Sequence, residues 1–405
     1  MRAGARTTRG ARLARALSVV GLLALLTPWV GAGRTADAQE AADDGVKITR
    51  NVVMATTDAG PITVDVYQPT TSGTGRPAVV LVHGGAWFQG APADMDEQGR
   101  LLARQGWVGF SISYRLAKLG QPTWPGNLTD VQRGIRWVAA NAPTYGADPQ
   151  RLAVLGSSAG AHLASLVASV GTGLPGPDEP ALPTTSLPAA GVVSAGAAPA
   201  LGASPVAPPT TTTPTPQLVK AVALWSPPTE LLDLVPEGEN PPASCGDNPY
   251  CRTFWTVPFI PTMLGCGPTE CHDQYVAASL PGHVTAATVP TWLANSEDEI
   301  IPIGQFQSLA DALGDNRVDT EVKVLPGHQH ANEYTSVVWN DMIPFLSTRL
   351  GVTAPTPITF ATASTGPDLG LILAVAGVIV LAGASFAAVV VLQRRERSVP
   401  APPGT

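Results

Sequence analysis

The chain has 405 residues, with 24 Lys and Arg against 31 Asp and Glu and a formal charge of −7. That length can bury the core of one large domain or two ordinary ones. Nine of the basic residues and three of the acids lie outside residues 39–367, which leaves a body of 15 basic residues against 28 acidic ones. So acidic a body argues against nucleic acid as a partner, because phosphate neutralisation needs clustered Lys and Arg. With 41 Gly and 40 Pro, the composition points to loops and linkers rather than a helical bundle.

Residues 1–38 read as a secretory signal peptide. Five arginines and no acid occupy residues 1–15, an apolar run of 11 residues follows from Ala16 to Leu26, and Ala36-Asp37-Ala38 offers the small residues a signal peptidase reads. Cleavage is expected after Ala38. The apolar run is too short to span a bilayer comfortably, and no two arginines are adjacent, as a twin-arginine signal would need.

From about residue 46 to residue 350, strand and helix patterns alternate. Pro61–Tyr67 alternates like a half-exposed strand, and Ala78–Val82 is a Val-rich run suited to a strand buried on both faces. Val108–Tyr114 is a third strand. Asn127–Ala140 has apolar residues at Leu128, Val131, Ile135 and Val138, which is helical spacing. Leu152–Leu155 is a short strand, Ala159–Val170 a small-residue helix, and Val219–Trp225, Val289–Ala294 and Val318–Leu325 are further strands. A last helix runs from about Asn332 to Leu350. This alternation predicts an α/β fold with a mostly parallel central sheet and helices on both faces. Residues 171–217, rich in Pro, Thr and Ala and poor in charge, read as a disordered insertion that could cover or flank a site.

Four cysteines, Cys245, Cys251, Cys266 and Cys271, fall in the exported body. An even count in an oxidising compartment reads as two disulfides, and the pairs Cys245–Cys251 and Cys266–Cys271 close the shortest loops. A zinc site is the rival reading, against which stands the lack of any Cys-x-x-Cys spacing. Asn127-Leu128-Thr129 matches a glycosylation sequon.

The C-terminal region is a separate address. Residues 351–368 form a Thr/Pro/Ala-rich stalk. Leu369–Leu392 is 24 residues without a charge, enough for a transmembrane helix, and Gln393-Arg394-Arg395-Glu396-Arg397 follows. The positive-inside rule then puts residues 393–405 in the cytoplasm and the body outside the cell. Thr362-Ala363-Ser364-Thr365-Gly366 resembles the cell-wall sorting signals of Gram-positive bacteria, with Thr362 where those signals carry Leu. A plain membrane anchor and covalent sorting to the wall are both open.

The chemistry concentrates in four places. Gly156-Ser157-Ser158-Ala159-Gly160 lies between a predicted strand and a predicted helix, the setting of a nucleophile elbow, with Ser158 central as nucleophile and Ser157 turned elsewhere. His83-Gly84-Gly85-Ala86-Trp87 follows the Ala78–Val82 strand. The backbone N–H groups of Gly84, Gly85 and Ala159 are the candidate donors to an oxyanion, with His83 holding the loop. A serine nucleophile needs a base, and the base needs a carboxylate to orient it. Residues Asn295 through Pro302 offer Glu297, Asp298 and Glu299, and Pro326-Gly327-His328-Gln329-His330 offers His328 and His330. Both segments follow strands, where open α/β sheets place their sites.

These segments, with Tyr114-Arg115-Leu116 and the run from Asn141 to Arg151, resemble the α/β-hydrolase esterases of the hormone-sensitive-lipase-like, feruloyl and acetylxylan esterase and kynurenine formamidase group. The resemblance spans about Val46 to Leu350. It implies the α/β-hydrolase fold and a triad of Ser158, His330 and Asp298, the last from the family's acid four residues before a proline, here Pro302. Glu297 and His328 stand in reserve. It implies hydrolysis of a small-molecule or polymer-linked carboxylic ester through an acyl-enzyme, with no cofactor and no metal. A formamidase or amidase using the same triad, and a non-catalytic surface adhesion module, are the other readings. His162 is expected to be a packed histidine beside the elbow, Asp148 and Arg151 a local ion pair, and Trp87, Phe88, Trp124 and Trp225 either core or acyl pocket.

Overall fold

The computed structural model describes residues 44–173, 217–235 and 258–360. The signal peptide, the insertion between 174 and 216, Cys245, Cys251 and the expected transmembrane segment lie outside the described residues. The chain divides into two compact units, Met1–Thr356 and Pro357–Thr405. Of the second, residues 357–360 are described, and they carry neither helix nor strand.

The first unit is built on one sheet. Its strands are β1 (Val46–Thr57), β2 (Gly60–Pro69), β3 (Arg76–Val82), β4 (Val108–Ile112), β5 (Ala147–Ser157), β6 (Ala221–Trp225), β7 (Thr291–Ser296) and β8 (Thr320–Leu325). Their order is β1-β2-β4-β3-β5-β6-β7-β8. β2 pairs antiparallel with β1 and with β4, and every later pairing is parallel. The helices are α1 (Asp96–Arg104), α2 (Gly126–Asn141), α3 (Ala159–Val170), α4 (Phe259–Leu264), α5 (His272–Ala278), α6 (Ile303–Asp315) and α7 (Thr335–Arg349).

The chain steps from β3 outward to β4, then back across β3 to β5. Right-handed crossovers therefore set α1 on one face and α2, α3 and α6 on the other. α7 joins α1, since Trp339 Nε1 donates to Gln105 Oε1 at 2.9 Å and Gln98 Nε2 donates to Thr335 Oγ1 at 2.7 Å. Covered on both faces, β3, β4 and β6 are buried almost throughout, which explains the apolar runs of β3 from Pro77 and of β6. The reversal of direction beside β3 leaves a crevice at the carboxyl ends of β3 and β5, where sheets of this kind hold their sites.

Five elements stand outside the sequence reading: β1, α1, α6 and the short helices α4 and α5. β1 has register shifts between Thr49 and Val52 and between Val53 and Ala55, so its alternation is broken. α1 is a nine-residue helix with Gly99 inside it. A Cβ at Gly99 would lie 2.4 Å from the Tyr67 ring, so the glycine serves close packing. α6 buries Phe306, Leu309 and Leu313, a helical spacing that the sequence does display. The glycosylation reading at Asn127 is overturned: the residue is fully buried in the first turn of α2, where its Oδ1 accepts the Leu128 N–H at 2.9 Å.

Candidate active site

Ser158 sits between the last residue of β5 and the first of α3, at φ 51 and ψ −120. A non-glycine residue rarely adopts a positive φ, and such strain marks functional turns. The turn explains its flanking glycines. A Cβ at Gly160 would lie 2.1 Å from the Val82 carbonyl oxygen, and one at Gly156 would lie 2.6 Å from the Gly160 oxygen. The Ser158 N–H donates to the Trp225 oxygen at 2.8 Å, which fixes the elbow to the end of β6. Ser157, the neighbouring hydroxyl, is buried, whereas Ser158 is partly open.

Beside the elbow runs the loop after β3. A Cβ at Gly84 would lie 3.2 Å from Ser158 Cβ, so the Gly84 backbone is against the nucleophile. Gly85 has φ 108, and a Cβ there would lie 2.1 Å from the Gln89 oxygen. Its own carbonyl accepts the N–H groups of Phe88 and Gln89, each at 3.0 Å. Ala86 and Trp87 also have positive φ, at 51 and 61. Ala159, the third candidate donor, opens α3, and the first N–H groups of a helix lack intrahelical acceptors. His83 braces this loop. Its Nδ1 is 2.7 Å from the Gly84 oxygen, and its ring stacks on Tyr114 at 4.4 Å. Burial lowers its pKa.

His330 follows β8 and is 20% exposed at the side chain. Its Nδ1 is hydrogen-bonded to Glu299 Oε2, and the Glu299 carboxylate is fully enclosed. The expected pairing with Asp298 is therefore not the one formed. Asp298 is exposed, and its backbone N–H donates to the Gly327 oxygen at 3.0 Å. The loop after β7 turns so that position 299, three before Pro302, faces inward against His330. Glu297 and His328 are exposed as well. Glu299 Oε1 accepts the Ser296 N–H at 2.9 Å and the Ser226 hydroxyl at 2.7 Å. Neither Ser226 nor Tyr334, whose hydroxyl is 2.9 Å from Ser226 Oγ, carries any motif that sequence spacing could reveal. The base loop is held further by Ser296 Oγ donating to the Gln329 oxygen at 2.6 Å and by the His330 N–H on Glu333 Oε2 at 2.8 Å.

The remaining expectations fall into place around this centre. His162 is fully buried on α3, its Nδ1 accepting from Trp87 Nε1 at 3.2 Å and its Nε2 lying 2.7 Å from the Ala278 oxygen. Burial pushes its pKa down to about 4. Trp87 and Trp225 are fully buried, so they belong to the core. Phe88 is exposed and faces Phe259 across 6.1 Å, and Trp124 lies 6.3 Å from the His162 ring. Asp148 and Arg151 pair at 3.4 Å. Cys266 and Cys271 form a disulfide between α4 and α5. Among the described residues no group of His, Cys, Asp and Glu is placed to hold a metal. The insertion leaves after Gly171 and returns at Gln217. Lys220 N donates to the Leu152 oxygen in the middle of β5, so the two anchor points lie where α3 ends and just before β6 begins.

A strained serine at a strand-to-helix elbow, set at the switch point of a mostly parallel sheet, defines an α/β-hydrolase. Within that class the chain belongs to the BD-FAE family, which matches residues 64–313. It is 38% identical over 108 residues to esterase LipQ of Mycobacterium tuberculosis, covering 26% of this chain and 25% of that protein. With carboxylesterase NlhH of the same species it shares 36% over 118 residues, 29% of this chain and 36% of the relative. The chain thus spans roughly a quarter to a third of the length of these relatives. Among solved structures, a truncated carbohydrate esterase from gut microbiota has a TM-score of 0.55 at 19% identity, covering 77% of this chain and 99% of its own. The Pyrobaculum calidifontis esterase has a TM-score of 0.52 at 21% identity, covering 75% and 86%. Both likenesses bear on the fold.

Proposed function

We propose that the protein hydrolyses a carboxylic ester through an acyl-enzyme formed on Ser158. The observation that carries this reading is the conjunction of the strained elbow at Ser158 with the hydrogen bond from His330 Nδ1 to the enclosed Glu299 carboxylate. Glu299 holds the imidazole so that Nε2 is left free for the nucleophile's proton. His330 takes the Ser158 proton, Ser158 Oγ attacks the ester carbonyl, and the N–H groups of Gly84, Gly85 and Ala159 stabilise the oxyanion. His330 then protonates the leaving alcohol. Water, activated by the same imidazole, releases the acid. The printed names of the relatives, esterase and carboxylesterase, support the ester as substrate.

The reaction takes place outside the cell. Residues 1–38 carry the pattern of a signal peptide and Leu369–Leu392 that of a single anchor with a basic cytoplasmic stop. The Cys266–Cys271 disulfide suits an oxidising compartment. The test of the chemistry is hydrolysis of p-nitrophenyl esters by the soluble body, with labelling by an organophosphonate. Ser158→Ala is expected to abolish both, with a loss of about 10³-fold or more, and Ser157→Ala to keep most activity. Wild-type turnover by Ser158→Ala would end the proposal.

A further inference from the structure

Ser226 lies immediately after β6, fully buried, with φ 51. Ala331, the residue after His330, is a second strained non-glycine at φ 50. The two are joined, because the Ala331 N–H donates to Ser226 Oγ at 3.0 Å. The same oxygen lies 2.7 Å from Glu299 Oε1 and 2.9 Å from the Tyr334 hydroxyl. Tyr334 Oη is in turn 3.1 Å from the Ala294 oxygen. The Ser226 N–H also reaches the Ala294 oxygen, at 2.9 Å, so its backbone is anchored to the end of β7.

Proton accounting gives these contacts a direction. A carboxylate only accepts, so the Ser226 hydroxyl proton goes to Glu299 Oε1. The Ser226 oxygen then accepts from the Ala331 N–H and from Tyr334, whose proton is shared with the Ala294 oxygen. Burial and the nearby Glu299 hold the Tyr334 phenol well above its ordinary pKa, so it remains a donor. With Oε1 fixed by Ser226 and by the Ser296 N–H, the other oxygen, Oε2, is the one that meets His330.

We propose that Ser226 is a positioning residue of the hydrolase: one hydroxyl fixes the rotation of the Glu299 carboxylate and holds the backbone next to His330. This rests on the ester-hydrolase reading above. Ser226 is fully buried, and its hydroxyl is hydrogen-bonded to Glu299, Tyr334 and the Ala331 N–H. It acts through the acid and the base, and its backbone strain is sustained by the strand ends that flank it.

The experiment measures p-nitrophenyl acetate hydrolysis against pH for the wild type, Ser226→Ala, Ser226→Gly, Tyr334→Phe and Ser158→Ala, with active-site titration to count competent sites. Ser226→Gly takes the positive φ without strain, so it keeps the test open if Ser226→Ala folds poorly. In both Ser226 variants kcat is expected to fall about 10- to 100-fold, the worth of a hydrogen bond to a charged group, with KM within about twofold. The acid limb of kcat/KM should move to higher pH, since a carboxylate with one donor fewer favours the protonated imidazole. Tyr334→Phe should move both in the same direction by less. A Ser226→Gly enzyme with wild-type kcat and an unmoved limb overturns the inference, as does a change confined to KM. In either case an inactive Ser158→Ala leaves the nucleophile standing. An active Ser158→Ala overturns both.

Discussion

Asp298 and Glu299 are neighbours in sequence and opposite in environment, one exposed and one enclosed against His330. The expected kinetics follow from that. Glu299→Gln should lower kcat by about 10²- to 10⁴-fold, since the imidazole loses its orienting charge and tautomer. Asp298→Asn should leave turnover within about twofold, and equal losses in the two variants would count against the pairing. Ser158 was legible because an elbow needs glycines at fixed offsets, a local rule. The acid was not, because three carboxylates share one loop and only packing against Ser226 and Ser296 selects among them. A second residue-scale consequence concerns His162. Its folded pKa of about 4 lies below the ordinary 6.5. The unfolded chain therefore binds a proton that the fold refuses, so stability is fully present above about pH 6.5 and is lost as pH falls toward 4. The shift amounts to roughly 3 kcal/mol. Comparing denaturation midpoints at pH 7 and pH 4.5 should show a smaller pH effect in His162→Gln than in the wild type.

Among the elements, the strands buried on both faces were the clearest in sequence. β6 throughout and β3 from Pro77 onward are buried on both faces, so they stand out as unbroken apolar runs. β1 was hidden by its two irregularities and by a mixed burial pattern that no simple alternation describes. The segment between α3 and β6 is anchored where α3 ends and β6 begins, about 18 Å from Ser158 by the length of the helix. Deleting residues 175–215 is accordingly expected to leave folding and turnover intact, because loop-closure cost changes only slowly with length. An insoluble or inactive product, checked by circular dichroism and ester hydrolysis, would show that the segment contributes to the core.

For the molecule as a whole, no helix among the described residues is long and apolar enough to cross a membrane. The expected span, Leu369–Leu392, lies beyond them and beyond the hydrolase unit, which ends at Thr356. Deleting residues 368–405 should therefore release active protein into the medium, as fractionation and ester hydrolysis would measure. A truncated protein that stays with the cells would rule out the C-terminal anchor. The acidic body suits such a release, since its net charge keeps molecules apart in solution.

The close seat of Gly160 on the Val82 carbonyl bears on how such an enzyme would fail. With no room for even a methyl group between them, α3 and the end of β3 form one mechanical piece. The proposed nucleophile, Ser158, immediately precedes the first, and the proposed oxyanion loop leaves from the second. Heat cannot slide one past the other without first breaking the parallel ladder between β3 and β5. Separation of Ser158 from the loop after β3 is thus expected to coincide with melting of the sheet.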